Sequence, residues 1–293
     1  MYRATERRSP AARVFFSCTS IQHDDSPQKR WRTQPMTTET TRVAVVTGAG
    51  RGIGLAIVRA LVEDGYAVVA GSRTVTDALK ELTPDAIEAD LGNPDEPARV
   101  VQHALDRHGG IDLLVNNVAG TSTPPGGFLQ LDDEAWQHTF NVTFMSNVRA
   151  TRAALPSLLE RRGAVINISS VNAKLPQPRL IAQSAVKAAV SNLGKALAEE
   201  FGGRGLRVNT ISPGPVWTDL WKSPGGPGDM LARRAGVALE DFKDQLPATV
   251  GLSTGEFADP EEIAALVVFL ASGRVANMSG ADLVIDGGMM KTV

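Results

Sequence analysis

From Arg42 onward, short apolar runs rich in β-branched residues alternate with longer stretches whose apolar positions recur every three or four residues. The runs at 42–48 (RVAVVTG), 66–72 (YAVVAGS), 85–90 (DAIEAD), 111–117 (IDLLVNN), 164–170 (AVINISS), 206–212 (LRVNTIS) and 281–286 (ADLVID) predict seven strands. Helical periodicity covers 52–65, 94–110, 132–163, about 183–202 and 259–272. Gly65 closes the first of these helices, and the last begins with Asp259 as N-cap and Pro260 at the first helical position. Strand and helix alternate strictly, and the strands read as continuous apolar runs rather than as an alternation of apolar and polar. Both features predict an α/β fold: three layers, with a doubly wound parallel sheet of about seven strands buried by helices on both faces. No linker interrupts residues 42–293, which predicts a single domain.

The first 41 residues break the pattern. They are rich in arginine, serine and proline and carry no sustained hydrophobic period, so they read as a disordered tail or as an upstream start with the natural start at Met36. An organelle-targeting peptide is the rival reading, and Asp24 and Asp25 count against it. Cys18 is the only cysteine and cannot form an internal disulfide, which favours a reducing, cytoplasmic location. His23, His103, His108 and His138 lack metal-ligand spacing, so no metal is expected. A net charge of −2 argues against a nucleic-acid partner, and no apolar run reaches the length of a membrane span. These exclusions leave a small molecule as the expected partner.

The chemistry begins at residues 47–54, TGAGRGIG, between the first strand and the first helix. Gly48 permits the tight turn, and Gly52 and Gly54 allow close approach of a pyrophosphate and close packing of helix on sheet. With Arg51 and Ile53 they form a candidate phosphate cradle at a helix amino terminus, whose free N–H groups and partial positive charge favour anions. The second strand ends in Ser72 and Arg73, with no carboxylate to bond a ribose 2′-hydroxyl. Two arginines and a hydroxyl suit a 2′-phosphate, which favours NADP(H) over NAD(H). Residues 213–259 read as an irregular, Gly- and Pro-rich segment, either an active-site lid or a plain surface loop; starting at a strand's carboxyl end favours the lid. Trp217, Trp221 and Met230 lie in it, and Phe128 and Leu129 follow the loop at 121–127 (TSTPPGG). Substrate contact and ordinary packing are both open for the lid residues.

The motifs TGAGRGIG, ADL (89–91), NNVAG (116–120), INISS (166–170), SPGPVWT (212–218) and IDGG (285–288) together resemble the short-chain dehydrogenase/reductase family over essentially all of residues 42–293. The resemblance implies a Rossmann-type sheet. It also implies that Asp90 and Leu91 flank the adenine, that Asn116 and Ala119 line the cofactor cleft, and that Pro213, Gly214, Val216 and Thr218 hold the nicotinamide end. The second motif departs from the usual form, having one residue between the second asparagine and the Ala-Gly. A homodimer or homotetramer built on the long fourth and fifth helices is a further implication.

The family's catalytic set is Asn, Ser, Tyr and Lys, with the last two spaced Tyr-x-x-x-Lys. Residues four apart share a helix face, so the lysine can hold the cofactor ribose and lower the tyrosine pKa, while the tyrosine gives a proton to the nascent alkoxide. In this sequence Ser170 and Lys187 match, Gln183 stands at the tyrosine position, and Thr143 stands at the asparagine position, with Asn141 and Asn147 near it. The chain's tyrosines are Tyr2 and Tyr66, neither placed to substitute. A glutamine amide can polarise a carbonyl but cannot deliver a proton; Ser170, a water held by Lys187, a substrate hydroxyl or Lys187 itself remain as donors. The expected activity is an NADP(H)-dependent oxidoreductase acting on a carbonyl or alcohol of a small, partly apolar substrate. The alternatives are a non-redox isomerase, dehydratase or cyclase on the same scaffold, and a cofactor-binding pseudoenzyme.

Overall fold

The computed structural model describes residues 41–120 and 127–292. The 1–41 tail, apart from its last residue, and the loop at 121–126 lie outside the described residues, as do Tyr2 and Cys18. In chain order the elements are β1 (Val43–Thr47), α1 (Gly52–Glu63), β2 (Ala67–Ser72), α2 (Asp77–Leu82), β3 (Ala86–Glu88), α3 (Glu96–His108) and β4 (Leu113–Asn116). They continue with α4 (Asp133–Phe140), α5 (Ser146–Glu160), β5 (Ala164–Ile168), α6 (Ile181–Phe201) and β6 (Arg207–Pro213). The last part holds α7 (Asp219–Lys222), α8 (Pro227–Ala235), α9 (Leu239–Phe242), α10 (Leu246–Thr249), α11 (Pro260–Ala271) and β7 (Asp282–Ile285).

All seven strands pair in parallel, in the order β3-β2-β1-β4-β5-β6-β7. The order reverses between β1 and β4, so the carboxyl ends of these two strands diverge and leave a crevice, the place where ligands bind in open α/β sheets. Successive strand residues face opposite layers. Ala44 and Val46 pack with Ile57 and Leu61 of α1 and Ile263 and Val267 of α11 on one face. Val43 and Val45 pack with Val100 and Ala104 of α3 and Ala154 and Leu158 of α5 on the other. Fully buried side chains such as Ile57 and Leu61 each stabilise the sheet by about 1.5–3 kcal/mol.

Four expectations change. The 213–259 segment is not irregular: it folds into α7 to α10, which enclose a small core of Ala232, Phe242 and Leu246. Three of these helices have only four residues, too few to show a 3.6-residue period, and glycines and prolines mark the joints between them. The short helix α2, capped by the Thr76 hydroxyl, has the same explanation. The 132–163 helix is continuous but contains a π-helical segment, Asn141–Met145, between α4 and α5. Finally, β5 stops at Ile168, so Ser170 lies beyond the strand, where it caps the 3₁₀ turn Val171–Ala173. The N-terminus of α11 forms as expected, with the Glu262 carboxylate accepting from the Asp259 N–H at 2.7 Å.

Candidate active site

The first strand–helix loop is fixed from two sides. The N–H groups of Gly48 and Ala49 both donate to the Gly71 carbonyl of β2, at 2.8 and 3.1 Å. From β4, the Asn117 amide Nδ2 donates to the carbonyls of Thr47 and Gly48 at 3.2 and 3.0 Å, and its backbone N–H donates to the Thr47 hydroxyl at 3.0 Å. Gly48 has a φ of +69°, which glycine adopts without strain. At Gly54 a Cβ would stand 2.1 Å from the Gly48 carbonyl oxygen, so α1 approaches the loop as closely as it does only because no side chain intervenes. Asn117 is the brace that sequence reasoning missed. Its signal was present in the asparagine pair of NNVAG, but only Asn116 was read as functional.

Asn116 turns its side chain into the protein. The resemblance placed it along the cofactor cleft, yet its side chain is 2 % exposed and turned inward. Nδ2 donates to Thr151 Oγ1 and Asn167 Oδ1, both at 3.0 Å, tying β4 to α5 and β5. The strand alternation decides this: Asn116 faces the same layer as Leu114, which packs with α3 and α5. Ala119 is exposed just beyond it.

At the end of β2, the Ser72 hydroxyl lies against Gly50, where a Cβ would meet it at 2.4 Å. Ser72 and the exposed Arg73 therefore adjoin the glycine loop that carries Arg51. Neither Arg51 nor Arg73 has an ion-pair partner among the described residues. Asp90 is exposed beyond β3 and accepts from the Gly92 N–H at 3.1 Å, while Leu91 is buried. From the far side, the chain after β6 reaches back: Val216 is buried, and the Thr218 methyl lies 3.3 Å from where a Gly52 side chain would begin. Pro213 is buried at the end of β6, and the Gly214 N–H donates to Ile285 at 2.8 Å. Tertiary structure thus joins the loops after β1, β2 and β6. The close helix–loop packing, unpaired arginines and free Ser72 hydroxyl fit a phosphorylated dinucleotide.

The Lys187 side chain is 4 % exposed, and its ammonium donates to the Ile168 carbonyl at 2.6 Å. Burial lowers its pKa to about 8. The Ser169 hydroxyl donates to the Lys187 carbonyl at 3.0 Å and accepts from Ser191 at 2.8 Å, which locks the end of β5 against α6. Ser170 is half-buried, and its hydroxyl accepts from the Asn172 N–H at 3.1 Å. Gln183 sits one turn before Lys187 on the same helix face, near the start of α6, with a buried Oε1 that has no partner among the described residues. Thr143 lies in the π segment, fully buried, and its hydroxyl accepts from the Gly120 N–H at 3.1 Å. It anchors the chain after β4. Asn147 is buried one turn on, with Oδ1 unpartnered among the described residues.

Tyr66, the tyrosine among the described residues, begins the chain into β2 at the amino end of the sheet. Its hydroxyl accepts from Arg42 at 3.2 Å, the guanidinium stacks 4.1 Å from the ring centre, and burial raises its pKa. In the 213–259 segment, Trp217 and Trp221 pack on Phe257, with ring centres 5.2 and 4.8 Å apart. Phe128 and Leu129 are exposed.

This architecture and loop arrangement define a Rossmann-type scaffold. The family profile described as Enoyl-(Acyl carrier protein) reductase matches residues 48–290. The chain is 33 % identical over 251 residues to L-fucose dehydrogenase of Bos taurus, covering 84 % of this chain and 88 % of that one. Its fold matches L-sorbose reductase from Gluconobacter frateurii, solved with NADPH and L-sorbose, at a TM-score of 0.79 and 31 % identity, over 87 % of this chain and 98 % of that one. It also matches a short-chain oxidoreductase from Pseudomonas aeruginosa PAO1 containing an atypical catalytic center, at a TM-score of 0.74 and 31 % identity, over 86 % and 98 % of the two chains. The chain belongs to the short-chain dehydrogenase/reductase family of oxidoreductases.

Proposed function

We propose that residues 42–293 form one catalytic domain that reduces a carbonyl, or oxidises the corresponding alcohol, of a small hydroxylated substrate, with NADP(H) as cofactor. Gln183 replaces the proton-donating tyrosine, and Lys187 moves the proton instead. The observation that carries this reading is the buried ammonium of Lys187, with its pKa lowered to about 8, one helical turn from an amide that cannot ionise. Sugar-directed relatives, L-fucose dehydrogenase and L-sorbose reductase, support a polyol or sugar as the substrate class.

The bound dinucleotide supplies or accepts a hydride. The chain's own residues do the rest. Arg51, Arg73 and Ser72 grip the 2′-phosphate, and the glycine loop receives the pyrophosphate at the amino terminus of α1. Asp90 and Leu91 border the adenine; Pro213, Gly214, Val216 and Thr218 border the nicotinamide. Ser170 and the Gln183 amide donate hydrogen bonds to the substrate oxygen, and Thr143 holds the Gly120 turn beside it. The Lys187 ammonium gives its proton to that oxygen and is reprotonated by solvent. A homodimer or homotetramer and a cytoplasmic location accord with the family reading. The described helices include none long and apolar enough to cross a membrane.

The test is reductase turnover against pH with NADPH and a panel of ketoses and simple ketones. The donor is charged below about pH 8, so kcat for reduction holds there and falls about tenfold per pH unit above it, while alcohol oxidation, which needs the free amine, rises up to about pH 8 and levels off above it. Gln183→Tyr restores a conventional acid and raises turnover on simple ketones by about 10–10³. Substrate conversion without nicotinamide turnover would instead identify a non-redox enzyme, and failure to bind any dinucleotide a scaffold protein. Cofactor choice has its own test: Arg73→Ser weakens NADPH about 10–100-fold, as expected for losing one charge-assisted contact, and leaves NADH unchanged in a fluorescence titration.

A further inference from the structure

One valine touches two of the chain segments that rise around the crevice. Val142 lies in the π-helical segment between α4 and α5. A Cβ on Gly92, in the turn after β3, would stand 2.9 Å from its Cγ2 methyl. A Cβ on Gly120, after β4, would stand 3.1 Å from its Cγ1 methyl. Neither glycine has a positive φ, so the backbone at both would accept an alanine, and the nearest obstacle at both is Val142. In the sheet, β2 and β1 separate β3 from β4. Three strand spacings put the ends of β3 and β4 roughly 14 Å apart. The segments that follow them therefore converge over the carboxyl ends of β2 and β1, and the valine fills the space between them.

The contact is fixed from several directions. Thr143, the next residue, accepts from the Gly120 N–H at 3.1 Å. Arg149 of α5 donates to the Gly92 carbonyl at 3.4 Å, and the Gly92 N–H donates to the Asp90 carboxylate at 3.1 Å. The carbonyl of Val142 itself accepts from the Ser146 hydroxyl at 2.6 Å, which gives the π turn a side-chain partner. Turns of this kind interrupt α-helices mostly at functional sites.

We propose that Val142 is a positioning residue that sets the spacing between segments 89–92 and 117–120, and with it the seat of the adenine half of the dinucleotide. This rests on the NADP(H) reading above, in which Asp90 and Leu91 border the adenine. Segment 117–120 begins at Asn117, which braces the glycine loop, so a thicker or thinner contact at Val142 displaces Asp90 relative to that loop.

Isothermal titration of the full chain with 2′,5′-ADP, 5′-ADP and NADPH tests this in a double-mutant cycle. Gly92→Ala is expected to weaken 2′,5′-ADP and NADPH by the same factor, about tenfold, through overpacking at one contact. Val142→Ala weakens both about threefold, because the spacer is thinner. The double variant binds within about threefold of the parent, since the lost methyl makes room for the added one. A role confined to folding would lower Tm without this recovery of affinity. Val142→Ala only removes atoms, so it folds even if Gly92→Ala does not, and Gly120→Ala with Val142→Ala then runs the same cycle against the other methyl. Unchanged affinity in Val142→Ala, additive losses in the double variant, or a loss for NADPH with none for 2′,5′-ADP overturns the proposal. A parent that binds 5′-ADP but not 2′,5′-ADP overturns the NADP(H) reading instead, and the cycle with 5′-ADP then decides the proposal by the same criteria. A parent that binds neither overturns both.

Discussion

Lys187→Met is expected to lower reductase turnover by about 10²–10⁴ while making the folded protein more stable at neutral pH. The two effects have one cause. The ammonium is buried, with no carboxylate paired to it among the described residues, and the Ile168 carbonyl is the partner that holds it. Its folded pKa of about 8 lies below the unfolded value near 10.5. Between those values the unfolded chain binds more protons than the folded one, so stability rises with pH across that window. Below about pH 8 the full cost applies, on the order of 3 kcal/mol. Methionine matches the length of the stem and removes the charge. It also leaves the Ile168 carbonyl without this donor, which offsets about 1 kcal/mol. Thermal melts should therefore show the variant more stable than the parent at pH 7, with the gap closing toward pH 10. Steady-state kinetics should show the loss mainly in kcat. Normal turnover in the methionine variant would remove Lys187 from the chemistry. A variant less stable at pH 7 than at pH 10, relative to the parent, would mean the ammonium is not isolated as described.

Gly54→Ala is expected to disable the cofactor site and destabilise the domain together. The added Cβ would lie 2.1 Å from the Gly48 carbonyl oxygen and 2.6 Å from Asn117 Nδ2. The nearer contact is backbone, so α1 or the loop has to move. Either movement stretches the 3.0 Å bond from Asn117 to Gly48, which is the brace on the loop. Overpacking of this kind costs about 1–3 kcal/mol, equivalent to a Tm drop of roughly 2–4 °C per kcal/mol in a domain of this size. The displaced loop should also weaken NADPH about 100-fold or more, because the donors at the helix amino terminus no longer converge on the phosphates. Differential scanning fluorimetry and an NADPH titration measure the two effects. Unchanged affinity in a folded variant would show that the cradle tolerates a side chain and that its closeness is incidental.

Not every element of the site was equally legible in the chain. The pairing of Gln183 with Lys187 was, because a helix imposes its 3.6-residue period on any sequence it contains, and four residues bring two side chains onto one face. The seven strands were also legible, since a parallel strand buried on both sides must be apolar throughout. Asn116 and Asn117 were not. Adjacent residues at a strand end point to opposite layers, so a one-residue difference decides which asparagine is spent inside the sheet and which braces the glycine loop. The helices of the 213–259 segment escaped because three of the four have only four residues and no period to detect, and Trp217 and Trp221 found each other only through Phe257, far along the chain. Thr143 looked like a substitute in the catalytic set; folding gave its hydroxyl to the Gly120 N–H.

The sequence by itself determined the layered sheet, the family's glycine loop and the placement of Gln183 four residues before Lys187, because each depends on residue identity or on short-range periodicity. Tertiary structure alone decided how deeply Lys187 is buried, which hydroxyls and amides are left without partners, and that Thr218 closes over Gly52. Those depend on desolvation and on contacts between segments far apart in the chain, and no local pattern encodes either.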